Sequence, residues 1–443
     1  MKVLVVGGGA REHAIANAVV KSEDTELFSV MNNLNPGIKK ISKHYILEKE
    51  TNVSKVIKYA KEKNIEIALI GPEAPLKEGI VNELKKNNIY SCAPTKEAAR
   101  IETDKEWMRN LLKNYKIPGQ LKYETFIDRN KAIQFIEKLN CEVAIKPIGL
   151  TGGKGVRVAG DHFNGINEAM EYVDDVISKK IGGQAKVLIE EKAIGEEFTL
   201  QAFSDGKTIL PLHAVQDHKR LLPGDSGPNT GGMGSYSCEN GLLPFLDKSD
   251  YEEGAVILQR IIEALKKENY PYVGPIYGQF MLTVNGPKII EINARFGDPE
   301  AMNVLPLLQT DFIKICNAMI NQNLNKIKLK MKNHSTVCKY VVPKGYGYKS
   351  IIDKKVFVDE KEIYKTGSKL FYASVNKQNN FVTTTSSRSL AVVGISSKLI
   401  DAEKICEEAL KHIKSEDIFI RHDIGKPDLI QKRIDHMNKI RGL

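Results

Sequence analysis

Residues 288–300, Lys-Ile-Ile-Glu-Ile-Asn-Ala-Arg-Phe-Gly-Asp-Pro-Glu, constrain the fold more tightly than any other stretch of this 443-residue chain. Ile289, Ile290 and Ile292 predict a buried strand, and side chains on a strand alternate faces with period two. Glu291, Asn293 and Arg295 then project from one face, offering a carboxylate, an amide oxygen and a fixed cation. Hard oxygens suit Mg2+, which proteins hold with one or two carboxylates alongside the phosphates of a substrate. A guanidinium beside them suits an anion or a developing oxyanion. A bare Glu-x-Asn fits a solvated strand end equally well. Arg295 and the Gly-Asp-Pro-Glu turn that stops the strand shift the reading towards a metal–phosphate site.

Upstream, Val3–Val6 is a short apolar run that feeds Gly7-Gly8-Gly9 and then a helix with Ala14, Ile15, Ala18 and Val19 on its inner face. Strands at Leu27–Met31 and Ile67–Ile70 alternate with helices at about 52–62 and 76–87, the spacing of a parallel, Rossmann-like α/β sheet over residues 1–102. Thr103 then opens a helix, with Glu106 completing a capping box and Trp107, Met108, Leu111, Leu112 and Tyr115 on its apolar face. A second unit, 103–325, holds strands near 143–147, 155–159, 187–190 and 197–203, a helix at about 251–267, and strands at 276–284 and 288–293. A lysine-rich linker near 321–335 leads to a small α+β unit over 330–443, with strands around 336–342, 370–375 and 390–394 and a helix at about 401–413. The expected fold class is multidomain, α/β and α+β.

The net charge of +10 fits an anionic substrate or nucleic acid, but the lysines fall mostly in mixed-sign, solvated runs such as Lys58–Lys63. Without basic–aromatic interleaving, no nucleic-acid partner is expected. Six cysteines with no Cys-x-x-Cys pair argue against zinc or a disulfide framework and suit a reducing compartment. The amino terminus is too short for a signal-peptide core, and no apolar run reaches the ~20 residues that span a bilayer. A soluble, cytoplasmic protein with no membrane partner is the expectation.

Two nucleotide motifs fail on inspection. The dinucleotide fingerprint needs Gly or Ala at position 12, where Glu12 stands, and a carboxylate over a pyrophosphate is repulsive. The helix start at Gly9, Ala10, Arg11 and Glu12 still presents amides that favour an anion. Gly149–Gly155 is one residue short of a P-loop and has Gly155 where a metal-binding Ser or Thr belongs. What remains is Lys146 on a strand followed by a glycine loop, which can close over a triphosphate or simply make a hairpin. Lys105 in the first turn of its helix opposes the dipole, a slight hint of function. The Glu190–Glu197 acidic loop reads as solvated, or as a strand edge that pairs an adenine. Gln216–Arg220 followed by the glycine-dense Asp225–Gly234 brings basic residues to free amides, a pattern for small anionic or zwitterionic ligands.

Taken in order, these segments resemble the ATP-grasp family, and within it the ligases that join glycine to 5-phosphoribosylamine in purine biosynthesis. The likeness covers essentially the whole chain: GGGAREHA (7–14), GPEAPL (71–76), APTKEAARIETDK (93–105), IKPIGLTGGKGV (145–156), IEEKAIGEEF (189–198), QDHKR (216–220), GPNTGGMG (227–234) and EINARFGDPE (291–300). Weaker similarity continues in SRSLAVVG (387–394) and RHDIG (421–425). Ala10 stands where that pattern commonly has a second glycine, which is tolerable only if φ is negative there.

The resemblance implies a central ATP-grasp unit with a mobile lid at about 120–192, ATP as co-substrate, and Mg2+ or Mn2+ on Gln279, Glu291 and Asn293. Gln279 is neutral, so that metal site carries one negative charge fewer than a two-carboxylate version. Lys105, Lys146, Thr151, Gly152, Gly153 and Gly155 would meet the phosphates, Glu190, Lys192 and Ala193 the adenine, and Glu197 the ribose. Gly9, Arg11, Glu12, Pro72 and Glu73 would line the ribosylamine phosphate pocket. Asp217, Arg220, Asn229, Thr230, Gly231 and Gly232 would hold substrate, with Arg295, Lys219 and Asp298 as the catalytic groups. A monomer or homodimer would suffice. Another carboxylate–amine ligase of the family, or a non-catalytic nucleotide-binding protein on the same scaffold, is the alternative; Glu12 speaks against an NAD enzyme.

Overall fold

The structure is a computed structural model that describes residues 1–149, 155–378 and 380–443. Its amino-terminal unit is a five-stranded parallel sheet in the order 44–47, 26–31, 2–6, 67–70, 90–91. Val3–Val6 are fully buried, as the central strand of a sheet covered on both faces requires. The helix expected over 76–87 is instead two, Glu73–Lys77 and Ile80–Lys86, because Gly79 adopts a left-handed φ of +83° that breaks the ladder. Ala10 is absent from the positive-φ residues, so its methyl group is accommodated.

Beyond residue 100 the chain makes a short helix, Arg100–Thr103, then the helix Lys105–Asn114. The cap expected at Thr103 belongs to Asp104, whose carboxylate accepts from the Trp107 amide at 2.9 Å. Glu106 turns outwards to Thr125 (2.8 Å) and Lys186 (2.6 Å) instead of back to the cap.

A four-stranded sheet, ordered 123–126, 187–191, 143–147, 157–158, carries the helices Arg129–Lys138 and Ile166–Ser178 and encloses a core of its own around Ile136, Val143, Phe163 and Val173. This small body sits over a second sheet, ordered 209–211, 196–205, 273–283, 286–293, and the cleft between them opens onto the site described below. The carboxy-terminal strands form one sheet of their own, ordered 375–378, 381–384, 355–358, 413–414, and share a second with earlier segments. Ser335–Pro343 pairs on one side with Leu390–Ser396 and on the other with Gly234–Ser237, which in turn pairs with Gln216–Asp217. The glycine-dense stretch is thereby sewn into the carboxy-terminal sheet. Among the described residues no helix is long and apolar enough to cross a membrane.

The first and last units meet at His13, which lies stacked on Tyr372 and edge-on to Phe371, its Nδ1 accepting from the Tyr372 amide at 2.9 Å. Burial pushes the His13 pKa down to about 3 from an ordinary 6.5. Between those values the unfolded chain binds a proton that the folded chain refuses, so stability is retained above pH 6.5 and lost as the pH falls. The unfolding free energy of the His13→Gln variant between pH 6 and 4 should therefore fall less steeply than that of the parent, by about 1.4 kcal/mol per pH unit at most. Parallel slopes for the two proteins would contradict this.

Candidate active site

The site grows from the hairpin of Val273–Thr283 with Gly286–Asn293. Gln279 faces Glu291 and Tyr277 faces Asn293 across the ladder, but a bulge at Ile290 lets Phe280 pair with Ile289. Ile290 was expected in the core; it is instead half-buried on the cavity wall, and its carbonyl accepts from Lys146 Nζ (3.2 Å) and Arg109 (3.1 Å). Glu291 is reached by Asn293 Nδ2 at 3.2 Å. Burial raises the Glu291 pKa, but Lys219, the Asn293 hydrogen bond, Lys105 and Lys146 outweigh it and hold the carboxyl below its usual range, hence ionised. Arg295 lies just past the strand and spreads its charge over Asn293 Oδ1 (3.0 Å), Glu102 (2.9 Å) and Glu73 (3.5 Å). Burial alone lowers its pKa; Glu102 and Glu73 more than restore it.

The strand Val187–Glu191 brings Glu190 to the same place. Its carboxylate, 1% exposed, is closed between Arg109 Nε and Lys146 Nζ, each at 2.6 Å. Glu190, expected at the adenine, lines the cavity with its carboxylate engaged by two cations and its strand paired on both edges through Tyr123 and Ala144. Lys192 and Ala193, past the strand end, still line the cavity. Lys146 pairs its charge with Glu190 and donates one of its three N–H groups to the Ile290 carbonyl. Lys105 gives one to the Gly149 carbonyl at 2.8 Å.

On the opposite wall, the Thr230 amide and hydroxyl both donate to the Lys219 carbonyl at 2.8 Å, which fixes the Gln216–Gly234 segment. Lys219 Nζ reaches Glu197 at 3.1 Å, and Gln279 Nε2 reaches the same oxygen at 2.8 Å. Burial works against the Lys219 charge, but Glu197, Asp217 and Glu291 overcome it and raise the pKa. Burial and the nearby Glu300 carboxyl push Asp217 well above the usual carboxylate range. Arg220 is committed to Asp161 (2.7 Å) and to the Gly227 carbonyl (2.9 Å). Asp298 pairs with Arg388 at 3.1 Å and accepts from the Tyr340 hydroxyl.

Together these residues line one cavity of about 910 Å³. Among the described candidates, only Gly9, Glu12, Gly155 and Gly232 do not reach its wall; Thr151, Gly152 and Gly153 lie outside the described residues. Glu12 caps its own helix, accepting from the Gly9 amide at 2.7 Å and from Arg11 at 2.7 Å. A methyl group at Gly7, Gly9 or Gly71 would overlap that side chain. The helix start expected to receive an anion therefore already holds a carboxylate. The Gly155 carbonyl accepts from Tyr172 in the lid. Gly232 (φ +104°) backs the wall from behind, where a Cβ would meet Asp217 Oδ1 at 2.7 Å. Glu102, Glu300, Arg388 and Arg433, none singled out from the sequence, also line the cavity, and Arg109, likewise missed, lies behind it against Glu190. Arg109 carried a signal, since it follows Lys105 and precedes Leu112 on the buried helical face.

The donor set fits one divalent cation. Glu291 is half-buried and ionised, and Gln279 directs its amide nitrogen to Glu197, so that its oxygen has no donor among the described residues. No cluster of three His, Cys, Asp or Glu competes for a metal among the described residues.

Family models described as phosphoribosylglycinamide synthetase N domain, ATP-grasp (A) domain and C domain match residues 1–102, 103–301 and 336–427. The chain is 48% identical to the phosphoribosylamine–glycine ligase of Methanothermobacter thermautotrophicus over 441 residues, 100% of both chains. It is 48% identical to the Methanocaldococcus jannaschii ligase of that name over 445 residues, again 100% of both. The Thermotoga maritima phosphoribosylamine–glycine ligase crystal structure superposes with a TM-score of 0.81 at 26% identity, covering 96% of this chain and 100% of that one. The biotin carboxylase domain of Hydrogenobacter thermophilus 2-oxoglutarate carboxylase shares the fold alone, with a TM-score of 0.73 at 14% identity over 100% of this chain and 95% of that one. The multidomain α/β architecture with a central ATP-grasp unit is thus shown.

Arg109 is fully buried and also donates to the Ile289 carbonyl at 2.9 Å, so it ties the strand Val187–Glu191 to the sheet beneath. Arg109→Met should lower the unfolding free energy by about 3 kcal/mol in urea titrations, the scale for breaking a buried ion pair. A loss below about 1 kcal/mol would mean that the pair contributes no more than an exposed one.

Proposed function

The chain belongs to the phosphoribosylglycinamide synthetase family, and we propose on that premise that its cavity joins glycine to 5-phosphoribosylamine through a glycyl phosphate, as ATP becomes ADP and phosphate. The observation that carries the reading is the ionised Glu291 sharing a single cleft with the ammonium groups of Lys105 and Lys146. The chain is an ATP-dependent ligase, as the names of its full-length relatives and its ATP-grasp domain indicate.

A glycine carboxylate oxygen attacks the γ-phosphorus and the bond to the ADP oxygen breaks. The ribosylamine nitrogen then attacks the acyl carbon, phosphate departs, and the nitrogen gives up its proton. Such transfers need positioning and charge stabilisation more than a side-chain nucleophile. Lys105 and Lys146 hold the phosphates. A divalent cation, Mg2+ or Mn2+, supplies neutralisation of the β,γ charge when bound; Glu291, Asn293 and Gln279 are the residues that would hold it. Arg295, kept in place by Glu102 and Glu73, stabilises the transferring phosphoryl group and the tetrahedral oxyanion. Lys219 and Asp298 orient the two substrates, and Arg11, Pro72 and Glu73 border the ribosylamine. We assign the units as 1–102, 103–325 with its lid at about 120–192, and 330–443. The six unpaired cysteines suit a cytoplasmic setting.

Glycine labelled with ¹⁸O in its carboxylate should pass label to the released phosphate, and unlabelled phosphate would exclude the acyl phosphate. Arg295→Ala should lower turnover by about 10²-fold or more, the usual loss when an oxyanion donor is removed. Near-normal turnover would remove its role.

A further inference from the structure

The helix Pro427–Arg441 begins where the match to the family's C domain ends, at residue 427, and it delivers Arg433 to the cavity wall. Arg433 holds two carboxylates from different elements. NH2 pairs with Asp225 Oδ2, and NH1 pairs with Glu196 Oε2 at 2.7 Å. Asp225 occupies the tip of the hairpin formed by Arg220–Leu222 and Ser226–Asn229, in a left-handed conformation with φ +58°. It also accepts from His218 Nδ1 at 3.0 Å and from Arg421 at 2.8 Å. Glu196, 3% exposed, opens the strand Glu196–Asp205, and the next residue is Glu197, partner of Lys219 and Gln279. His218 and Lys219 are likewise neighbours on the hairpin side. The guanidinium therefore spans two elements whose adjacent residues, Lys219 and Glu197, meet inside the cavity at 3.1 Å.

We propose that Arg433 is a positioning residue for the ligation reaction: the carboxy-terminal helix, through Arg433, sets the separation between the substrate hairpin and the strand Glu196–Asp205, and so the reach of Lys219. A planar guanidinium suits this task because it holds two carboxylates at a fixed spacing, which an ammonium on a flexible stem does not. The inference rests on the ligase reading of the hairpin. Arg441 supplies an internal comparison. It fastens the same helix to Asp247 (2.9 Å) and Asp250 (2.6 Å) of the helix Lys248–Lys267, away from the cavity.

The test compares Arg433→Met, Arg433→Lys and Arg441→Met in the full-length protein, by thermal unfolding and by steady-state kinetics with ATP, glycine and 5-phosphoribosylamine each varied. Arg433→Met should lower kcat/KM for glycine by about 10- to 100-fold, the scale of a misplacement near 1 Å, with KM for ATP within about twofold of the parent. Arg433→Lys should recover part of that loss. Arg441→Met should lower the unfolding temperature but leave kcat/KM for glycine near the parent value. Unchanged kinetics in Arg433→Met would overturn the proposal. So would equal kinetic losses in Arg433→Met and Arg441→Met that track their unfolding temperatures. If Arg433→Met does not fold, Arg433→Lys decides alone: a glycine kcat/KM equal to that of the parent counts against the proposal, and a selective loss supports it. A parent protein that releases no ADP in response to glycine would instead sink the ligase reading itself.

Discussion

Glu190 is the point at which the molecule is tied together. Its carboxylate leaves water entirely, a cost of several kcal/mol that only close cations can offset. Arg109 comes from the helix Lys105–Asn114, Lys146 from the neighbouring strand Val143–Pro147, and both also reach the carbonyl at the Ile290 bulge. One buried charge thus registers three elements against each other, and that registration places Lys105 and Lys146 across from Glu291. With Glu190 neutral or displaced, Lys146 would lose the partner that aims it.

The same economy of paired charge runs through the cavity. Arg295 is surrounded by Glu73, Glu102 and Asn293, Lys219 by Glu197 and Asp217, and Arg388 by Asp298. The walls are therefore not a bare positive funnel. They alternate in sign, and this suits a reaction that brings together a polyanion, a zwitterion and an amine. Backbone devices support the arrangement. Gly232 supplies a positive φ behind Asp217, and the Ile290 bulge redirects a carbonyl that a regular ladder would have consumed.

Much of this was legible from local pattern. Alternation along 288–295 put Glu291 and Asn293 on the working face, and Lys105, Lys146 and the 216–234 segment all reach the cavity. What escaped depends on partners distant in sequence. The bulge that exposes Ile290 is set by the facing strand, so alternation alone placed that residue in the core. Glu12 fills the start of its own helix because Gly7, Gly9 and Gly71 leave room for it, a packing fact invisible in the local motif. Thr103 and Asp104 are both good caps, and only the observed geometry selects Asp104. Arg388 lies 90 residues beyond Asp298, and Arg421 and Arg433 lie 196 and 208 beyond Asp225, while the pairing of Gly234–Ser237 with Ser335–Pro343 leaves no short-range trace.

In the proposed reaction Glu291 and Asn293 grip a divalent cation while Lys105 and Lys146 hold the nucleotide phosphates in the same cleft. A crystal structure of the protein with Mg2+ and a non-hydrolysable ATP analogue tests it most directly. The account predicts electron density for the metal on the Glu291 and Asn293 oxygens, with the β- and γ-phosphates within hydrogen-bonding reach of both lysines. A triphosphate seated elsewhere, or a metal that leaves Glu291 without a ligand bond, would contradict it.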